Sequence, residues 1–130
     1  MSKKIVPFIG NIEKLTLDNK DYRRVLHTDL KQQLVVMSLL PKQDIGMEVH
    51  RHTTQFIRIE KGTALVEMIH GNLSYVDTLK DGDAVVIPQG FHHNITNVEP
   101  KKHLKLYTIY SPPEHKPGTI QKKKPKHHKD

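Results

Sequence analysis

Residues Gly82–Asn97 read GDAVVIPQGFHHNITN, and their spacing decides how the rest of the chain is read. Gly82, Pro88, Gly90, His93 and Asn97 form the pattern Gly-x5-Pro-x-Gly-x2-His-x3-Asn. Five fixed positions filled at once rarely coincide by chance. Local chemistry gives the same segment a strand–turn–strand form. AVVIP is a short apolar run after a DGD turn, closed by Pro88. Gly90 lets the chain turn, and HHNITN opens a second strand. Alternation along that strand sends His93 to one face and His92 to the other.

Outward from this segment the chain continues as short strands. YRRVLHT at 22–28 reads as a strand, and QQLVVMSLL at 32–40 as a stronger one. The near-continuous apolar run in the latter predicts cover on both faces. IGMEVH at 45–50 is a further strand. QFIRIE at 55–60 alternates, with Gln55, Ile57 and Ile59 on one face and Phe56, Arg58 and Glu60 on the other. TALVEMIH follows, with Ala64, Val66 and Met68 facing in, then an HGN hairpin turn and LSYVDTL. HLKLYTIYS at 103–111 is the last strand; Leu104, Leu106, Thr108 and Tyr110 share its inward face. Residues 1–20 suggest an edge strand or two, and no amphipathic helix stands out. PPEHKPG ends regular structure, because prolines cannot continue a sheet. Roughly nine or ten short strands with even turns predict an all-β sandwich or barrel.

The 130 residues suit one domain. There is no cysteine, which excludes disulfides, thiolate nucleophiles and Cys-ligated zinc. No secretory signal is legible, and the longest apolar run, LVVMSLL, is too short to span a bilayer. The expectation is a soluble cytoplasmic protein with no membrane partner. Residues 121–130, QKKKPKHHKD, carry five lysines against one aspartate and so supply +4 of the net charge of +7. The expected division is a domain over 1–117 and a basic flexible tail over 118–130. Without interleaved aromatics to stack bases, the tail argues against nucleic acid as a partner.

The Gly82–Asn97 pattern resembles the second sequence motif of the cupin superfamily. GMEVH…QFIRIEKG, IPQGFHHNITN and LKLYTIYSPPEHKPGT together resemble small single-domain cupins named for similarity to mannose-6-phosphate isomerase, over roughly residues 20–120. The resemblance implies a single-domain cupin β-barrel, also described as a double-stranded β-helix or jelly roll. It further implies a homodimer and a metal site with His93 as one ligand. Cupins include isomerases, epimerases, dioxygenases and binding proteins, so the fold does not fix the activity.

The first motif of that family, Gly-x5-His-x-His followed by Glu and Gly, is matched here with departures. Anchored on Gly62, the segment reads Glu48-x-His50-x4-Gln55-x6-Gly62. The usual three-His, one-Glu set becomes Glu48, His50, Gln55 and His93. A rival register pairs His50 with His52 but spoils the spacing to Gln55. Glu48 and His50 lie two apart on one strand and share a face. One carboxylate and two imidazoles suit a divalent Fe, Mn, Ni or Zn ion. Gln55 either completes the set or binds a ligand's hydroxyl. Glu48, His52 and Tyr110 are the candidate catalytic groups. The expected function is a metal-dependent, isomerase-like enzyme acting on a small sugar-like or keto substrate. The alternatives are a dioxygenase and a non-enzymatic barrel that binds a small ligand. His27, His70 and His103 read as surface or turn histidines, and His127 and His128 as solvent-exposed ones.

Overall fold

The computed structural model describes residues 5–126. A helix comes first, α1 (Ile12–Asp18). Ten strands follow: β1 (Arg23–Thr28), β2 (Gln33–Leu39), β3 (Glu48–Val49), β4 (Thr54–Lys61), β5 (Ala64–His70), β6 (Leu73–Leu79), β7 (Ala84–Ile87), β8 (His92–Asn97), β9 (Leu104–Ser111) and β10 (Ile120–Gln121). They make two antiparallel sheets. One has the order β10-β1-β2-β9-β4-β7 and the other β3-β8-β5-β6. The strand pattern predicted an all-β sandwich or barrel, and the two sheets form the jelly roll that the resemblance implied.

The core lies between the sheets and is built by alternation. Ile57 and Ile59 of β4, Leu104 and Leu106 of β9, Val35, Met37 and Leu39 of β2, and Val66 and Ile95 of the opposite sheet are all buried in it. Burying each such side chain contributes about 1.5–3 kcal/mol. In β2, Val36 and Ser38 are buried as well, so both faces are covered as its unbroken apolar run predicted. α1 provides part of that outer cover, contacting β2, β4 and β9.

That helix corrects the expectation of edge strands in residues 1–20. Asn11 is its N-cap, with its side-chain oxygen accepting from Lys14 N at 3.0 Å. The helix and its C-cap cover outer residues of β9: Lys105 donates from Nζ to the Asn19 carbonyl. The expected strand over 45–50 contracts to Glu48 and Val49, which pair with His93 and His92.

The C-terminal segment is a second correction. Regular structure does not stop at PPEHKPG. Arg23 pairs with Gln121 and Arg24 with Ile120, and Val25 N donates to Thr119 O at 2.9 Å. Lys124 Nζ donates to Asp44 O at 2.8 Å. The signal was invisible locally because the partner strand, not an apolar pattern of its own, recruits this segment. His127 and His128 lie outside the described residues.

Candidate metal centre

A turn and a strand pairing bring the motif residues together. Gly90 has φ of +87°, a left-handed conformation that glycine adopts without strain. Its N–H donates to the His50 carbonyl at 2.8 Å, which fastens the turn after β7 to the end of the β3 segment. Pairing of Glu48 with His93 across β3 and β8 then sets the carboxylate beside that imidazole.

Ligand atoms of Glu48, His50 and His93 all lie within 4.8 Å of one another, and all three residues are buried. His50 Nε2 is 3.8 Å and His93 Nε2 4.0 Å from Glu48 Oε1. The two imidazole centroids are 5.1 Å apart. His93 Nδ1 lies 3.0 Å from the Phe91 carbonyl. A carbonyl can only accept, so Nδ1 carries the proton and Nε2 presents its lone pair to the group. That Nε2 is buried with no hydrogen-bond partner among the described residues. Burial holds His93 below the ordinary histidine range, against a smaller opposing effect of the Phe91 carbonyl. The imidazole is therefore neutral near pH 7, the form that ligates metal. A divalent ion at the meeting point would also offset the cost of burying the Glu48 carboxylate.

The other sequence candidates divide. Gln55 is buried; its Nε2 donates to Thr108 Oγ1 at 3.0 Å, and its Oε1 has no hydrogen-bond partner among the described residues. Tyr110, paired with Gln55 across β4 and β9, is buried with its ring centroid 5.7 Å from that of His50. Burial pushes its phenol well above the usual tyrosine range, so it can donate a proton in a hydrogen bond but is not a base near neutral pH. His52 is exposed in the turn before β4 and lies outside the three-residue group. Asn97 is fully buried, but its amide is spent on the backbone: Nδ2 lies 3.2, 3.0 and 2.9 Å from the carbonyls of Leu39, Leu40 and Lys102. His27 sits on β1 with Nε2 2.8 Å from Asp29 Oδ2, and His70 stacks on Phe91.

Two residues near the site went unread in the sequence. Glu114 Oε2 lies 3.4 Å from His50 Nδ1. Partial burial raises this carboxyl above the usual glutamate range, against smaller opposing effects of the neighbouring Thr53 and His93. His115 Nε2 lies 3.4 Å from the Tyr110 hydroxyl. Both sit in PPEH, where proline density signals only the end of a sheet. The one available signal was two titratable residues directly after the strand that carries Tyr110.

Residues 35–110 match the family profile described as Cupin domain. The chain belongs to the cupin family. This cupin is 47% identical over 118 residues to the uncharacterized protein L612 of Acanthamoeba polyphaga mimivirus, a match covering 91% of this chain and 73% of that protein. It is 39% identical over 120 residues to the uncharacterized protein YrkC of Bacillus subtilis, covering 91% of this chain and 64% of that protein. The cupin thus spans a little under two-thirds of YrkC. It also superposes on the crystal structure of BH2720 from Bacillus halodurans with a TM-score of 0.84 and 41% identity, over 90% of this chain and 89% of that one. Among the described residues no helix is long and apolar enough to cross a membrane.

Proposed function

We propose that this cupin holds a divalent metal ion through Glu48, His50 and His93 and acts on a small polar molecule, sugar-like or keto, in an isomerase-like reaction. The observation that carries the proposal is the buried convergence of one carboxylate and two imidazoles within 4.8 Å. Such a set suits Fe(II), Mn, Ni or Zn. When bound, the ion supplies Lewis acidity toward a substrate carbonyl or hydroxyl.

The chain's own groups would do the rest. The Phe91 carbonyl keeps His93 in the ligating tautomer. Gln55 Oε1, an acceptor with no partner among the described residues, is suited to a substrate hydroxyl or to the ion itself. Tyr110 stays protonated and closes the inner wall beside His50. The apolar residues around them exclude water, which strengthens every polar contact made inside.

Elemental analysis of full-length protein purified without an affinity tag tests the proposal, run beside His50→Ala and His93→Ala. Near-stoichiometric metal in wild type, lost in both folded variants, is expected. Absence of metal after reconstitution would overturn it. Gln55 Oε1 also favours a second reading, a barrel that binds a hydroxylated ligand without turnover. On that reading ligand affinity survives His93→Ala.

A further inference from the structure

We propose that Glu114 is a positioning residue for the metal centre, accepting the His50 Nδ1 proton and so turning His50 Nε2 toward Glu48 and His93. The inference rests on the metal reading above. His50 lies between two carboxylates, one for each ring nitrogen. Nδ1 is 3.4 Å from Glu114 Oε2, and Nε2 is 3.8 Å from Glu48 Oε1. A neutral imidazole has one N–H to place. With the proton on Nδ1, it faces the Glu114 carboxylate, and the Nε2 lone pair faces the ligand group. The opposite tautomer would aim an N–H at the ion. His93 meets the same requirement through the Phe91 carbonyl. Each imidazole is thus backed by an oxygen on the nitrogen turned away from the centre, an arrangement that fixes ring orientation and raises ligand basicity.

The carboxylate is held where it can do this. Pro112 and Pro113 restrict φ at the two positions before it. Gln33, fully buried on β2, uses its whole amide on the turn and the neighbouring strand end. Its Oε1 accepts from the N–H groups of Glu114 at 3.1 Å and His115 at 2.9 Å. Its Nε2 donates to His115 O at 2.8 Å and Thr28 Oγ1 at 2.9 Å. Thr53 Oγ1 donates to Pro112 O at 3.2 Å. The turn is therefore tied to the core at several points. Glu114 also lies beyond residues 35–110, the span shared with the family profile, so membership of the family does not assign it this role.

Chelator-competition titration of full-length protein with Co(II), on wild type, Glu114→Gln and Glu114→Ala, tests this. Glu114→Ala is expected to weaken Co(II) binding about 10–100-fold. It should also shift the Co(II) ligand-field spectrum while the metal-free melting temperature stays at the wild-type value. Glu114→Gln, which keeps an acceptor oxygen, should fall between Ala and wild type. Wild-type affinity and spectrum in Glu114→Ala would overturn the inference and leave the metal reading intact. So would a loss of affinity accompanied by an equal loss of metal-free stability and no spectral change. Wild type that takes up no Co(II) would overturn both.

Discussion

Asn97→Leu separates a structural role from a ligand-binding one at the last residue of the Gly82–Asn97 motif. The substitution is near-isosteric, so it should open little cavity. It removes an amide whose two donor hydrogens are shared among the carbonyls of Leu39, Leu40 and Lys102, and whose oxygen accepts from Glu99 N at 2.9 Å. Two N–H groups and one acceptor amount to three hydrogen bonds. At about 1 kcal/mol each, the loss is about 3 kcal/mol. Backbone groups left unsatisfied would add to that, but Leu40 and Lys102 are exposed residues whose carbonyls water can reach, which holds the cost near the lower figure. For a domain of this size the melting temperature should fall by about 10–15 °C. Urea denaturation should show a lower midpoint at unchanged slope. Metal affinity of the folded variant should stay near the wild-type value. A loss below about 1 kcal/mol would refute the clamp, and abolished metal binding in a folded variant would give Asn97 a role in the site.

Tyr22 is buried, and burial raises its phenol to about 12. An acid with a raised folded pKa contributes stability that is intact below pH 10 and lost as pH rises from 10 toward 12. The loss amounts to about 3 kcal/mol, and Tyr22→Phe should flatten that alkaline part of the stability profile in urea titrations. Gly62→Ala should cost about 2–4 kcal/mol, because φ is +113° and the new methyl would stand 3.0 Å from Leu104 Cδ1. Gly71→Ala, with φ of +60° and nothing within 4 Å, should cost only about 1 kcal/mol in the same assay, and equal costs would refute the packing argument. If the Glu48–His50–His93 group binds a divalent ion as proposed, adding that ion to metal-free protein at a hundred times Kd should raise unfolding stability by about 2.7 kcal/mol, with no gain in His93→Ala.

The β framework was legible because its alternation is set by burial that each strand carries in its own residues. QFIRIE buries Gln55, Ile57 and Ile59 as its pattern indicated. The grouping of Glu48, His50 and His93 was implied by the resemblance to the cupin motifs, and the pairing of Glu48 with His93 brings it about. What escaped was decided by partners elsewhere in the chain. IEKLTLD is too short to show a helical period clearly, yet seven residues under an Asn cap fold as a helix against the outer sheet face. Ile120–Gln121 is a strand because β1 offers an edge. Glu114 reaches His50 because Gln33, 81 positions earlier, holds the turn. Asn97 is legible in the sequence only as the last position of the motif. Its three carbonyl partners come from other loops and strands, so its spacing could not reveal a clamp.

The pairing of β10 with β1 has a practical bearing on how the basic C-terminus is handled. Trimming it looks harmless, since lysines and a proline contribute nothing to a core. Yet β1 would then become the outermost strand of its sheet. The groups it now pairs with Thr119, Gln121 and Lys122 would be left open. An uncovered edge of that kind invites other strands to add to it. The present edge is a two-residue strand followed by Lys122, Lys123 and Lys124, too short and too positively charged to extend by that route. On this argument a chain ending at residue 117 should aggregate sooner than the 130-residue chain under the same conditions.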